Sequence, residues 1–229
     1  MADPDRQHWW DIPLTIAIAL GVVLLVTTFA VKPFSIPSGS MEDTLGIGDR
    51  VLVNRAVYRV RPIARGDIVV FDGSDSFVPA SEVPQRNPVA GALTWVGQSL
   101  GLMQPDSTDY IKRVIGVGGD RVTCCDAQGR VTVNGTPLDE AAYLYPGDVP
   151  SLQDFDVEVP QGMLWVMGDH RSNSADSRVH LGDPGGGFVP ESKVVGRAMA
   201  VLWPPTRLRV LDIPETFATI PGPSSSAAS

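Results

Sequence analysis

The sequence predicts a mainly β domain of antiparallel strands, attached to one N-terminal transmembrane helix. Short runs of alternating or β-branched residues recur along most of the chain, and this pattern is typical of half-buried strands. The 23 glycines and 20 prolines indicate frequent turns between those strands. One long uncharged run near the N terminus has the length that crosses a bilayer.

Residues 12–31 are the predicted membrane anchor, because none of these positions carries a charge and a helix of this length spans about 30 Å. Trp9 and Trp10 precede the run, and indole side chains favour the membrane interface. A cleavable secretory signal is the alternative, but such signals have shorter apolar cores and a basic leader. Arg6 and Lys32 flank the run on opposite sides, so positive charge does not set its orientation.

Six strands are predicted after the anchor, each from a run of alternating or β-branched residues. The residues DAQGR precede one of these runs and predict a hairpin turn. The predicted strands lie at 50–58, 67–71, 110–117, 130–135, 163–169 and 194–203.

Two further segments are predicted outside the regular sheet. Residues 72–109 form an insertion in which 89–103 place their apolar side chains on one helical face. That helix either packs on the domain or lies on the bilayer surface. Residues 215–229 are predicted to be a disordered tail, because the end of the chain, IPGPSSSAAS, lacks core-forming residues.

Charge and cysteine content exclude several kinds of site. The net charge is −8 and no run of lysine or arginine occurs, which argues against nucleic acid as a partner. Cys124 and Cys125 are adjacent, whereas zinc sites use separated pairs. Two unpaired thiols are favoured over a vicinal disulfide, which is strained. We therefore expect no zinc site at these cysteines.

A cluster of small polar residues, PSGSMEDTL at 37–45, follows the predicted anchor closely. From Val31 to Ser40 is nine residues, so even an extended chain holds this serine within about 30 Å of the span. A serine becomes reactive only beside a base. Neither Ser38 nor Ser40 lies in the G-x-S-x-G or S-x-x-K patterns of two other serine enzyme classes.

Lys112 is the candidate base, provided that its amine is neutral near pH 7. Strand alternation places Tyr110, Lys112 and Val114 on one face, and burial between these neighbours disfavours the ammonium form. A depression of about 2 to 3 units in the lysine pKa is required. Taken alone, a lysine in an apolar strand is more often a charge on an edge strand or a snorkelling side chain than a base. Arg113 points to the other face and is always protonated, so it cannot be the base.

A third cluster, GDHRSNSADSR at 168–178, is rich in turn-forming residues. Asp169 or Asp176 could pair with Arg171 or Arg178 and hold a loop in place. By itself this composition indicates a hydrogen-bonded structural turn.

Taken together and in order, these segments resemble bacterial type I signal peptidase, the leader peptidase that uses a Ser/Lys pair. The resemblance lies in the N-terminal span, PSGSMEDTL, RGDIVVF at 65–71, YIKRVIGVGGD at 110–120 and GDHRSNSADSR. It implies an antiparallel, coiled β-sheet Ser/Lys protease domain over residues 32–214. It also implies a single-pass protein of the plasma membrane, with residues 1–11 in the cytoplasm and the catalytic domain on the extracytoplasmic face.

The implied activity is removal of signal peptides from secretory preproteins at the surface of the lipid bilayer, without metal or cofactor. By the same resemblance, Ser40 is the nucleophile and Lys112 the general base. The resemblance also implies that Ser38 and the Ser40 N–H form the oxyanion hole, and that Ser174 orients the lysine. Asp176 and Arg178 are the implied supporting ion pair, and Met41 is implied to lie near the substrate pocket.

The chain departs from the family pattern at three positions, and two rival functions stay open. Asp43 and Gly118 stand where the family commonly has proline, and His170 stands where it has asparagine. His170 keeps a Ser–His mechanism as an alternative. The rivals are a Ser/Lys protease that cleaves itself, as stress-response repressors do, and a membrane-tethered β-rich domain that binds a partner without catalysis.

Overall fold

The computed structural model describes residues 12–19, 21, 31–74, 76–77, 108–183 and 185–222. Within these ranges the chain is mainly β, and every strand pairing is antiparallel, which confirms the antiparallel β part of the predicted fold class. The strands are β1 (Val31–Ser35), β2 (Arg50–Asn54), β3 (Ile68–Asp72), β4 (Asp109–Val117), β5 (Arg121–Cys124), β6 (Thr132–Val133), β7 (Thr136–Pro137), β8 (Phe155–Glu158), β9 (Met163–Met167), β10 (Val189–Pro190), β11 (Val194–Trp203) and β12 (Arg209–Val210).

The strands form two sheets. The larger has the order β1-β2-β11-β3-β4-β9-β10, with β12 paired to β11, and the smaller has the order β7-β6-β5-β8. In the larger sheet β4 lies between β3 and β9. Lys112, on β4, is therefore on a central strand, which excludes the edge-strand interpretation.

The predicted strands agree with β2, β3, β4, β6, β9 and β11, although β2, β6 and β9 are shorter than predicted. The first ends at Asn54, whose side-chain oxygen accepts the N–H groups of Ala56 and Val57 before a 3-10 helix at Val57–Arg59. Of the strand predicted at 130–135, only the two residues of β6 are a strand in the structure. They pair with β5 in the expected hairpin. The strands β1, β5, β7, β8, β10 and β12 were not predicted.

The buried apolar residues form three clusters. One of them joins the segment after β1 to the face of β2 and β11, and it includes Met41 and Leu45, which are fully buried. Tyr110 and Val114 of β4 both belong to a different cluster. This agrees with the prediction that strand alternation places them on one face. The serine segment is therefore fixed to the core of the larger sheet.

Most of the predicted anchor and of the predicted insertion lies outside the described residues. Residues 12–19 are helical and Val31 begins β1. Among the residues that the structure describes, none of the helices combines the length and apolar character of a bilayer span. The predicted helix at 89–103 lies entirely in the part that is not described.

The prediction of a disordered tail from residue 215 is wrong for residues 215–222. Glu215–Thr219 form a 3-10 helix, and Phe217 and Ile220 are buried in the cluster around Trp165. The Thr216 hydroxyl also accepts the Asp139 N–H at 2.8 Å. Two well-spaced apolar side chains in a polar segment are enough to bind it to the core.

The expectation of unpaired thiols is also wrong, because Cys124 and Cys125 form a disulfide. Adjacent residues on a continuing strand face opposite sides of a sheet, but β5 ends at Cys124. Both cysteines pack against the same apolar cluster. The end of the strand thus removes the alternation that would separate the two sulfurs.

Candidate active site

Ser40 and Lys112 are in direct contact, although 72 positions separate them in the sequence. Lys112 Nζ donates a hydrogen bond to Ser40 Oγ at 2.6 Å and another to the Ile111 carbonyl at 3.0 Å. Residue Ser40 is 5% exposed and Lys112 3%. A hydroxyl and an amine are thus paired in a site with little contact to bulk water.

A tight turn holds Ser40 at the end of the Lys112 side chain. The Leu45 N–H donates to the Met41 carbonyl at 2.6 Å. The Ile36 N–H donates to the Asp49 carbonyl at 2.9 Å, which closes the base of the loop. Met41 and Leu45 anchor the loop from below. Met41 itself is fully buried in the core of the larger sheet.

A cavity of about 530 Å³ opens over this pair. Ser38 Oγ lies 3.5 Å from Ser40 Oγ in the same cavity. The cavity wall among the described residues consists of Ser38, Gly39, Ser40, Tyr110, Lys112, Ser172, Asn173, Ser174, Ala175 and Val179. Met41, predicted near the substrate pocket, does not line this cavity.

Burial controls the ionisation of Lys112. Removal of the ammonium group from water lowers the pKa of Lys112 from 10.5 to about 8, and the carboxylates of Asp176 and Asp169 oppose this shift. The direction follows from the cost of desolvating a cation. Near neutral pH a useful fraction of the amine is therefore uncharged.

The predicted ion pair of Asp176 and Arg178 is present beside the cavity. Arg178 donates to both carboxylate oxygens at 2.9 and 2.8 Å, and the Gly168 N–H donates to the same carboxylate at 3.0 Å. Burial opposes ionisation, but the hydrogen bonds and charge of Arg178 hold the pKa of Asp176 below its ordinary value. This pair fixes the loop that follows β9.

Ser174 lines the cavity. Among the described residues, no hydrogen bond joins its hydroxyl to Lys112. The Ser174 hydroxyl instead helps to lower the pKa of Asp176. Gly168 allows this packing, since an added Cβ would lie 2.2 Å from Ser174 Oγ and 2.4 Å from the Ser40 carbonyl oxygen. Sequence reasoning did not single out Gly168, because a glycine's need for close approach is visible only in three dimensions.

Asp169 pairs with Arg113 rather than with either arginine of its own loop. Arg113 donates to both Asp169 oxygens at 2.8 and 2.6 Å, and the Thr44 hydroxyl donates to the same carboxylate at 2.5 Å. Arg171 pairs with Glu140 instead. The Arg113–Asp169 pair joins β4, the serine loop and the 168–178 loop. The only indication of this pair in the sequence was strand alternation, which places Arg113 on the face opposite Lys112.

His170 does not approach Ser40 as a base would. Its Nδ1 lies 3.2 Å from the Gly39 carbonyl oxygen and 3.2 Å from Glu42 Oε2, and in the described structure no hydrogen bond joins its ring to Ser40 Oγ. The geometry therefore favours Lys112 over the Ser–His alternative. No group of three or more His, Cys, Asp or Glu side chains that could hold a metal ion occurs in the described ranges.

Comparisons with known proteins found related sequences. The family model described as "Signal peptidase, peptidase S26" matches residues 9–203. The "Probable signal peptidase I" of Mycobacterium leprae is 39% identical over 88% of this chain and 78% of its own length. The "Signal peptidase I" of Mycobacterium tuberculosis is 41% identical over 86% of this chain and 72% of its own length.

Among solved structures, a signal peptidase I from Enterococcus faecalis matches with a TM-score of 0.36 and 24% identity. The match covers 60% of this chain and 97% of that one.

Proposed function

The chain belongs to the signal peptidase family, peptidase S26, and we propose that it removes signal peptides from secretory preproteins with Ser40 as nucleophile and Lys112 as general base. The observation that carries the assignment of these two residues is the buried 2.6 Å contact between Lys112 Nζ and Ser40 Oγ. A lysine whose pKa burial has lowered can accept the hydroxyl proton.

In the first step the neutral amine of Lys112 takes the proton of Ser40. The Ser40 oxygen then attacks the carbonyl carbon of the residue before the cut, and negative charge develops on the carbonyl oxygen. The Ser38 hydroxyl and the Ser40 N–H are the proposed donors to that charge. One such donor is typically worth about a hundred- to a thousandfold in rate.

In the second step the Lys112 ammonium returns its proton to the leaving amine, and the C–N bond breaks. An acyl-enzyme ester remains on Ser40. Lys112 then takes a proton from water as the water oxygen attacks the ester carbonyl carbon, and it returns that proton to Ser40 Oγ as the ester C–O bond breaks. Ser174, Asp176 and Arg178 support the pair by shaping the cavity wall and the loop behind it.

The expected place of the reaction is the surface of a bilayer. Residues 12–31 are the proposed single-pass anchor, and β1 begins at the last of them. The nine residues from Val31 to Ser40 keep the hydroxyl within about 30 Å of that anchor. A scissile bond at the end of an apolar signal segment in the same membrane would be presented there, on the extracytoplasmic face.

The full chain in detergent is expected to cleave a preprotein at one site and to be labelled at Ser40 by a serine-reactive electrophile. Mass spectrometry of the product and of the labelled peptide checks both results. A chain that binds preprotein without labelling or cleavage would support the non-catalytic rival. A chain that shortens only itself would support the self-cleaving one.

The value of kcat/KM for preprotein cleavage is expected to rise with pH through an inflection near 8. Below this pH Lys112 is mostly an ammonium ion and cannot accept a proton, and above it the free amine predominates. A pH–rate profile from pH 6 to 9.5 checks the prediction. A profile that is flat over this range would contradict it, and an inflection near about 6.5 would point to histidine.

A further inference from the structure

His170 holds the peptide group that carries the Ser40 N–H. Its Nδ1 lies 3.2 Å from the Gly39 carbonyl oxygen and 3.2 Å from Glu42 Oε2. A carbonyl and a carboxylate both accept hydrogen bonds and donate none. Nδ1 must therefore carry the proton and donate it towards this pair of oxygens.

The Gly39 carbonyl and the Ser40 N–H belong to one planar peptide unit and point in opposite directions. A hydrogen bond that fixes the carbonyl on one side therefore fixes the direction of the N–H on the other. The His170 backbone N–H also donates to the Ser40 carbonyl at 3.1 Å. His170 thus contacts both peptide groups that flank the proposed nucleophile, and it shares the first of them with the Glu42 N–H, which donates to the Gly39 carbonyl at 3.1 Å.

The imidazole ring is itself held in place. The ring of Tyr145 stacks on it with centroids 3.8 Å apart and an interplanar angle of 11°. The Tyr145 N–H donates to the Asp169 carbonyl at 3.0 Å, and Asp169 is paired with Arg113. The ring therefore has a fixed orientation towards Gly39, and this orientation is supported by the buried ion pair of the site.

We infer that His170 is a positioning residue that aims the Ser40 N–H into the oxyanion hole by binding the Gly39 carbonyl. The inference rests on the proposed function, in which that N–H stabilises the developing charge. A donor acts in this role only when it already points to where the charge will form. His170 takes no proton from Ser40 in this arrangement, which separates its role from that of Lys112.

Two substitutions separate the hydrogen bond from the ring. His170→Phe keeps an aromatic ring against Tyr145 and removes the donor, while His170→Asn restores an amide N–H close to the position of Nδ1. We expect His170→Phe to lower kcat about 10- to 100-fold with KM changed less than about threefold, since the loss falls on the transition state. His170→Asn is expected to recover most of kcat.

The matched control is His180→Phe. His180 also stacks on an aromatic ring, that of Phe77, at 4.3 Å and 14°, but its Nδ1 bonds Asp183 instead of the serine loop. The His180→Phe substitution is expected to leave kcat unchanged. Denaturant unfolding of each full-length variant in detergent separates a kinetic effect from a loss of fold.

Three outcomes would overturn the inference: wild-type kcat in His170→Phe, a change confined to KM, or a His170→Asn enzyme as slow as His170→Phe. The last result would mean that the imidazole itself is needed. Failure of the proposed function has a different signature, namely no labelling of Ser40 and no cleavage by the unaltered chain. The two failures are therefore distinguishable.

Discussion

Lys112→Met is expected to abolish signal-peptide cleavage, with a loss in kcat/KM of at least about a thousandfold, because a general base that activates a nucleophile contributes on this scale. Methionine fills nearly the same buried volume but cannot accept a proton. Preprotein cleavage by the purified full-length variant measures the loss. Residual turnover within tenfold of the unaltered enzyme would remove Lys112 from the mechanism.

The same substitution is expected to make the protein more stable. The pKa of Lys112 is about 8 in the folded protein against 10.5 ordinarily, so between these pH values the unfolded chain binds more protons and stability rises with pH. Below pH 8 the folded state bears the whole cost of a buried ammonium. At pH 7 its removal should therefore raise the free energy of unfolding by about 1 to 3 kcal/mol.

Lys193→Met is the matched control for Lys112→Met. Lys193 is half-buried in the 3-10 helix before β11, away from the cavity. Its replacement is expected to leave cleavage intact and to change stability by less than about 1 kcal/mol. Denaturant unfolding at pH 7 and pH 10 tests the comparison, since the advantage of Lys112→Met should shrink at the higher pH. An advantage that is independent of pH would mean that packing rather than charge is its cause.

Asp169→Asn is expected to cost about 3 to 5 kcal/mol of stability, because it leaves the buried Arg113 guanidinium without a counter-charge. The side chains of Arg113 and Asp169 are 2% and 0% exposed, and their closest contact is 2.6 Å. The substitution keeps the size of the side chain, so the loss of stability is caused by the loss of its charge. The unfolding midpoint of the full chain in denaturant, with an unchanged slope, measures it.

Asp156→Asn provides the exposed counterpart. Arg121 donates to both oxygens of Asp156 at 2.8 and 2.5 Å, so the contact geometry is similar, but the two side chains are 69% and 48% exposed. Solvent screening should limit its cost to a small fraction of the loss in Asp169→Asn. Equal losses in the two variants would show that burial does not set the strength of the Arg113–Asp169 pair.

The long strands were predictable because the sequence pattern that identifies each one lies within the strand itself. β3, β4, β9 and β11 contain runs whose alternation or β-branching identifies a strand without reference to a partner. The two-residue strands β7, β10 and β12 carry no such pattern. Each is a strand only because it pairs with the strand that precedes it in the chain, β7 with β6, β10 with β9 and β12 with β11.

The candidate pair was predictable from motif order, but its surroundings were not. The motifs place Ser40 and Lys112 in one site, and the structure brings them into contact. The partners predicted for Asp169 and Arg171 within their own loop were wrong, because Asp169 pairs with Arg113 on β4 and Arg171 pairs with Glu140. Arg113 and Glu140 come from other parts of the chain.

By itself the amino-acid sequence determined the β class, the principal strands, the family resemblance and the two residues proposed to react, since each depends on local patterns or on motifs in order. Only the tertiary structure decided that Lys112 lies on a central strand, that its amine is buried against a hydroxyl, and that His170 faces a peptide carbonyl. Burial and the direction of a hydrogen bond are properties of the packed chain. They arise when segments far apart in sequence exclude water from the same small volume.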